Sequence, residues 1–150
     1  MENKNANKLT QNGKDKIAIF GFKDGLVGQF LEMAQISKSY DIEYFISIEE
    51  LPDLNIDHEH RKRPNSKTEF IENGEIFGAP IHVDSEYIGR LSSDDISKVF
   101  VLEDDNNKRT SIIKRLLKAK IDVLSFIHES VWLGGNNFIG VGVIIFPMCY

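Results

Sequence analysis

The stretch NFIGVGVIIFPMCY, residues 137–150, is the last part of a regular apolar pattern that begins at residue 127. Isoleucine or leucine recurs every six residues, at Ile127, Leu133, Ile139 and Ile145. A period of six fits neither an α-helix nor a half-buried strand, but it is typical of a parallel β-helix, whose short faces each turn one aliphatic side chain inward. The pattern predicts that residues 127–150 start a hexapeptide-repeat β-helix. A single buried hairpin is the alternative.

A β-helix buries its apolar side only when one coil stacks on the next, and about three repeats are needed for stability. The repeat that stacks is a whole coil, and four hexads make little more than one coil, so they fall short of that requirement. We therefore expect the chain to be the front part of a larger protein, cut after the first coil of the β-helix.

Composition places the chain among ordinary globular proteins. It has 150 residues, of which 27% are charged and 41% hydrophobic, enough for one domain with a real core. The net charge of -5 argues against nonspecific binding to nucleic acid. Cys149 is the single cysteine, which excludes an intrachain disulfide. No apolar segment has the length of a signal peptide or of a membrane span, so we expect a cytoplasmic protein without a membrane partner.

Short apolar runs alternate with helical patterns between residues 16 and 126. Strands are predicted at IAIF (17–20), EYFIS (43–47), VFVL (99–102) and IDVLSFI (121–127). Helical faces are predicted at Leu26, Val27, Phe30, Leu31 and Ala34, and at Ile112, Ile113, Leu116 and Leu117. SIEE (47–50) predicts the start of a short helix or turn, and SSDDIS (92–97) predicts another helix start. Residues 1–15 are predicted to be a disordered lead-in, and residues 52–75 a surface loop or irregular hairpin. This alternation predicts an α/β fold, a small Rossmann-like parallel sheet flanked by helices.

A glycine-rich turn, GFKDGLVG (21–28), follows the first predicted strand. Backbone amides and the helix dipole at such a turn favour a phosphate, so Gly21, Phe22, Lys23, Asp24 and Gly25 are candidate binding residues. A tight turn that needs glycine for geometry alone is the alternative. The spacing is not the GxGxxG of dinucleotide sites, and the second strand ends in Ser47 where such sites place an acid, which argues against a nicotinamide-dependent oxidoreductase.

The segment EDDNNKR (103–109) lies at the same predicted edge of the sheet. Asp105 or Asn106 can cap the following helix. Arg109, one turn into that helix, can pair with a phosphate through both guanidinium branches. Its alternatives are a solvated side chain or a pair with Asp105.

Together these segments resemble bacterial sugar acyltransferases of the NeuD and PglD type, over residues 16–150 except the loop at 52–75. GFKDGLVG stands for the family's GAGGHG-like turn, with one residue fewer and with Asp24 in place of the histidine. DDNNKR stands for the GDNxxR-like segment and keeps Asp105, Asn106 and Arg109, but Asp104 replaces the glycine. IHESV, with His128, stands for the HPSA-like step.

The resemblance implies a nucleotide-sugar-binding domain at 16–126, followed by the start of a left-handed β-helix at 127–150. The ligand would be a sugar nucleotide, most simply UDP-linked, held by Gly21 to Gly25, Ser47, Asp105, Asn106 and Arg109. The acyl donor would be acetyl-CoA, bound between the solenoids of a homotrimer. The catalytic histidine would lie beyond Tyr150, so this part alone is expected to be inactive, and His128 is expected to be structural. A noncatalytic module that positions a β-helix trimer is the alternative function.

Two weaker patterns lie in the charged loop. His58 and His60 in DHEH (57–60) could contact a metal, and RKR (61–63) is a small basic patch. Both are expected to be solvated loop segments, so no metal is predicted.

Overall fold

A computed structural model of the chain describes residues 13–21, 30, 31, 34–48, 71, 72, 74–76 and 78–147. Within these ranges the elements follow in the order β1 (Asp15–Phe20), α1 (Ile36–Ser39), β2 (Tyr40–Ser47), β3 (Ile71–Glu72), β4 (Glu75–Ile76), β5 (Ala79–Val83), α2 (Tyr87–Ser93), β6 (Lys98–Val101), α3 (Asn106–Lys118), β7 (Asp122–Val123), β8 (Phe126–Ile127) and β9 (Ile144–Ile145).

In the described part of the chain, seven strands form one sheet in the order β3-β4-β5-β2-β1-β6-β7. Five neighbouring strands, β5, β2, β1, β6 and β7, are mutually parallel, whereas β3 and β4 form an antiparallel extension beside β5. The parallel strands follow the spatial order 3-2-1-4-5, which is the Rossmann order 3-2-1-4-5-6 without its sixth strand. The predicted α/β class with a mostly parallel sheet is confirmed.

The central strand β1 is buried on both faces of the sheet. Ala18 and Phe20 belong to the core on one face, whereas Ile17 and Ile19 belong to the core on the other. On the first face Phe20 meets Tyr87 of α2 edge to face, with ring centroids 4.8 Å apart. Burial on both sides explains why this strand is a continuous apolar run instead of an alternating one.

The helix α3 packs against the same face as Tyr87, but not with all four residues of its predicted apolar stripe. Ile112 and Leu116 are 3% and 0% exposed and lie in the core, and Ile113 is partly buried. Leu117 is 46% exposed, so its prediction as an inner residue is wrong. Residues 112 and 116 are four apart and share a face, whereas the side chain of residue 117 lies about 100° further around the helix than that of residue 116.

Helix α2 ends where the sequence predicted a helix start. Its buried residues, Tyr87 and Leu91, are four residues apart and both precede SSDDIS, and the helix ends at Ser93 inside that segment. Asp95 adopts a left-handed φ of 58°, and Ile96 N donates to Leu91 O at 2.9 Å, which terminates the helix in a Schellman motif. The polar cluster is therefore a C-terminal cap, and the predicted helix start at 92–97 is wrong.

The C-terminal coil, residues 126–147, forms a second, two-stranded sheet. Here β8 and β9 pair in parallel, Phe126 with Ile144 and Ile127 with Ile145. The partners are eighteen residues apart, and the chain between them makes no other regular element. The alternative of a hairpin at this end is wrong, because a hairpin pairs its strands antiparallel.

No helix in the described ranges is long and apolar enough to cross a lipid bilayer.

Leu116→Ala and Leu117→Ala form a matched pair for testing the core. Leu116 is fully buried, so its truncation should lower the free energy of unfolding by about 2–5 kcal/mol. Leu117→Ala should cost about 1 kcal/mol or less, because the side chain is nearly half exposed. Urea denaturation measures both. Equal losses would contradict the described orientation of α3.

Candidate functional site

The predicted binding residues that the structure describes lie at one edge of the sheet. From β1 the chain adds β2 and β5 on one side and then crosses to β6 and β7 on the other. The switch point therefore lies between β1 and β6, and ligands of open α/β sheets bind outside the carboxyl ends of the strands at such a point. Gly21 follows β1, and the switch-point loop, residues 102–105, follows β6.

Gly21 closes the space between the two strands. It has a φ of 83°, and its N–H donates to Ile46 O at 3.1 Å. A Cβ at this position would lie 2.9 Å from both the C and the O of Leu102 and 3.1 Å from Glu103 N. Only glycine fits this backbone-to-backbone contact, so geometry explains Gly21 whether or not a ligand binds.

Ser47 ends β2 on the other side of Gly21. It is 8% exposed, and its carbonyl accepts a hydrogen bond from Asp84 N at 2.9 Å. Asp84 follows β5 and was not predicted as a site residue, although it directly follows the apolar run IHV. Hydrogen bonds from Arg90 Nε at 2.8 Å and from Glu86 N hold the pKa of Asp84 below its ordinary value. The edge thus carries an ionised carboxylate two strands away from the switch point.

Asp105 caps α3, which was one of its two predicted roles. Its Oδ1 accepts hydrogen bonds from Asn107 N and Lys108 N, both at 2.9 Å. Asn106 is the exposed first residue of the helix, and its carbonyl accepts from Thr110 Oγ1 at 2.7 Å. The carboxylate of Asp105 is thereby committed to the helix amides that could otherwise face an anion.

Arg109 turns towards main-chain carbonyls of the protein. Its Nη1 donates to Val101 O at 2.7 Å and to Glu103 O at 3.4 Å, and its Nη2 donates to Gly142 O of the C-terminal coil. Burial lowers the pKa of the guanidinium from its ordinary value, and the charge of Glu103 opposes this. Neither a solvated arginine nor a pair with Asp105 describes this side chain.

Phe22, Lys23, Asp24 and Gly25 lie outside the described residues, as do His58, His60 and the basic patch at 61–63. The structure therefore adds nothing to the predictions made for them. In the part of the chain that is described, no group of three or more His, Cys, Asp or Glu side chains could hold a metal ion.

His128 lies where the sheet passes into the C-terminal coil. Its backbone N–H donates to Ile145 O at 3.0 Å, and Ser130 N donates to its Nδ1 at 3.1 Å. Because Nδ1 accepts, the neutral ring carries its proton on Nε2. The contacts of this histidine are local and belong to the pairing of β8 with β9.

Gly21→Ala and Gly74→Ala separate two costs of adding a methyl group. Both glycines have positive φ, but the space around Gly74 is open. We expect Gly74→Ala to cost about 1–2 kcal/mol of unfolding free energy from backbone strain alone. Gly21→Ala should cost roughly 1–3 kcal/mol more because of the contact with Leu102. Equal losses in urea denaturation would contradict the close contact.

Substitutions of Asp105 test its role as a cap. Asp105→Ala should destabilise the protein by about 1 kcal/mol, because two amides of α3 lose their acceptor. Asp105→Asn should retain most of that stability, since asparagine caps helices almost as well. Thermal denaturation of the two variants provides the measurement. An asparagine variant as unstable as the alanine variant would contradict the capping role.

Comparisons with known proteins support the fold. No protein-family model matches the chain, and no curated protein matches it. Three matching solved structures are of the perosamine N-acetyltransferase from Caulobacter crescentus in complex with CoA and GDP-perosamine, and two of these carry a substitution of one histidine. Each has a TM-score of 0.59 and 15% sequence identity, and the match covers 88% of this chain and 51% of that one. The chain thus shares the fold of the matched part of this sugar acetyltransferase and spans about half of its length.

Proposed function

We propose that this chain is the N-terminal region of a nucleotide-sugar acyltransferase. In this proposal the sheet binds a sugar nucleotide at the switch point, and the C-terminal coil starts a left-handed hexapeptide-repeat β-helix. The acetyl group would come from acetyl-CoA and go to an amino or hydroxyl group of the sugar. The family of the NeuD and PglD type is the proposed relative.

The parallel pairing of Ile127 with Ile145 is the observation that carries the proposal. These residues begin the first and the fourth hexad of the sequence pattern, and eighteen residues separate them. Three hexads make one turn of a triangular coil, so the same position of successive turns should pair in parallel at this distance. The coil follows a Rossmann-order sheet, and the fold match to the sugar acetyltransferase covers 88% of the chain.

The proposed ligand lies between the turn after β1 and the switch-point loop. Gly21 uses its own N–H for Ile46 O, so amides that face a phosphate would come from the following residues, Phe22 to Gly25. Ser47 and Asn106 would border the site. In this proposal Asp105 and Arg109 act by fixing the loop, since their polar groups already bind the protein.

Acetyl-CoA would supply the thioester whose acyl group is transferred. The described coil does not fit the coenzyme by itself, because residues 126–147 contain no lysine or arginine for its phosphates. We therefore assign the coenzyme to later coils of the proposed full-length enzyme. Trp132, Phe138 and Val141 are 74%, 95% and 55% exposed, and in this proposal a further coil or a neighbouring subunit of a trimer covers them.

A noncatalytic assembly module is the second candidate. Its support is that two of the charged residues expected at the ligand, Asp105 and Arg109, are both engaged within the protein. In that case the domain would serve only to position the β-helix.

Thermal denaturation with GDP-linked and UDP-linked amino sugars discriminates between the two candidates. A ligand at 100 times its dissociation constant should add about 2.7 kcal/mol to the free energy of unfolding. NADH serves as the control, since the turn lacks the dinucleotide spacing, and it should give no shift. If no sugar nucleotide stabilises the chain, the acyltransferase proposal fails in favour of the assembly module.

A further inference from the structure

The Arg109 side chain fills the junction between three segments that are far apart in sequence. One branch of the guanidinium donates to the end of β6 and to the switch-point loop, through Val101 O and Glu103 O. The other branch donates to Gly142 O, 33 residues away in the C-terminal coil. A planar fork with fixed donor directions can bridge such acceptors, because each branch points to a different segment.

The Val101 carbonyl needs this donor because the neighbouring strand ends too early. Strand β7 has only two residues, and its side of the ladder ends where Leu124 N donates to Val99 O at 2.8 Å. Carbonyls two residues apart point to the same side of a strand, so Val101 O faces the place where β7 would have continued. Arg109 supplies the hydrogen bond that the missing strand would have supplied.

The coil side of the junction is held closely in place. Gly142 is buried with a φ of 68°, and a Cβ there would lie 2.8 Å from Val123 Cγ1 and 3.2 Å from Ile113 Cδ1. Nearby, Phe126 and Ile144 pack against the core on the other face of the sheet. The turn at Gly142 is therefore seated on α3 and β7, with its carbonyl directed at Arg109.

We infer that Arg109 is a positioning residue that couples the switch-point loop to the C-terminal coil, so that a ligand bound at the switch point restrains the coil. The first half of this inference rests on the contacts alone. The second half rests on the proposed function, because it needs a ligand at the switch point. Such coupling is reciprocal: if a bound ligand stabilises the ordered coil, the ordered coil increases the affinity for the ligand by the same free energy.

Lysine at position 109 distinguishes this role from a phosphate contact. An ammonium is a point charge that can still attract a phosphate, but it cannot direct separate branches to Val101 O and Gly142 O. Arg109→Lys should therefore preserve an interaction of charge and lose the bridge. Lys114→Met, at an exposed position of the same helix, is the control for a change in α3 that leaves the junction intact.

Hydrogen exchange of the full chain, measured by NMR, tests the inference in two steps. Without ligand, amides of Phe126, His128 and Val143 should exchange at least tenfold faster in Arg109→Lys than in wild type, and at the wild-type rate in Lys114→Met. With a saturating GDP-linked or UDP-linked amino sugar, exchange of the same amides should slow several-fold in wild type and should not slow in Arg109→Lys.

Unchanged exchange of the coil in a folded Arg109→Lys would overturn the bridge. If that variant does not fold, wild type in a denaturant series decides: the inference requires the coil amides and those of β6 to open together, and separate opening overturns it. If neither sugar nucleotide binds wild type, the proposed function fails and the bridge is judged from the ligand-free exchange. Binding that slows the coil equally in wild type and in Arg109→Lys would overturn the coupling.

Discussion

The contact of Gly21 with the peptide between Leu102 and Glu103 determines the shape of the edge at which a ligand is proposed to bind. Both sides of this contact are backbone, so no change of rotamer can widen or relieve it. It fixes the distance between the turn after β1 and the switch-point loop. Because the Gly21 N–H also donates to Ile46 O, backbone contacts join the carboxyl ends of β2, β1 and β6. The polar residues that follow these strand ends are positioned by these backbone contacts.

The shortness of β7 has the second large effect on the fold. A longer edge strand would continue the ladder along β6, whereas the two-residue β7 leaves the end of β6 without a neighbouring strand on that side. The chain turns away there into the C-terminal coil. Arg109 and the turn at Gly142 then occupy the vacated edge. The same feature thus explains why an arginine beside a predicted phosphate site contacts main-chain carbonyls instead, and how the coil is attached to the sheet.

Local patterns in the sequence were enough to predict what depends on local physics. Apolar runs located β1, β2 and β6, and Asp105 was a predicted cap. The period of six placed Ile127 and Ile145 at equivalent positions of the coil, but Leu133, predicted to turn inward, is 44% exposed. The role of Arg109 could not be predicted, because its acceptor at Gly142 is brought near only by the fold. Leu117 was misplaced because four apolar residues on α3 exceed the width of the face that the sheet covers. The predicted domain boundaries stay predictions, as does the role of Phe22 to Gly25.

The electrostatics of the switch point constrain how an anionic ligand could be held there. The positive charge of Arg109 is directed at carbonyls, and the carboxylate of Asp105 occupies the first amides of α3. Asp104 is exposed in the same loop and adds a negative charge. Arg109 and Asp105 thus already bind the protein, so in the proposed function affinity for a pyrophosphate would come from the turn after β1, through its main-chain amides or Lys23.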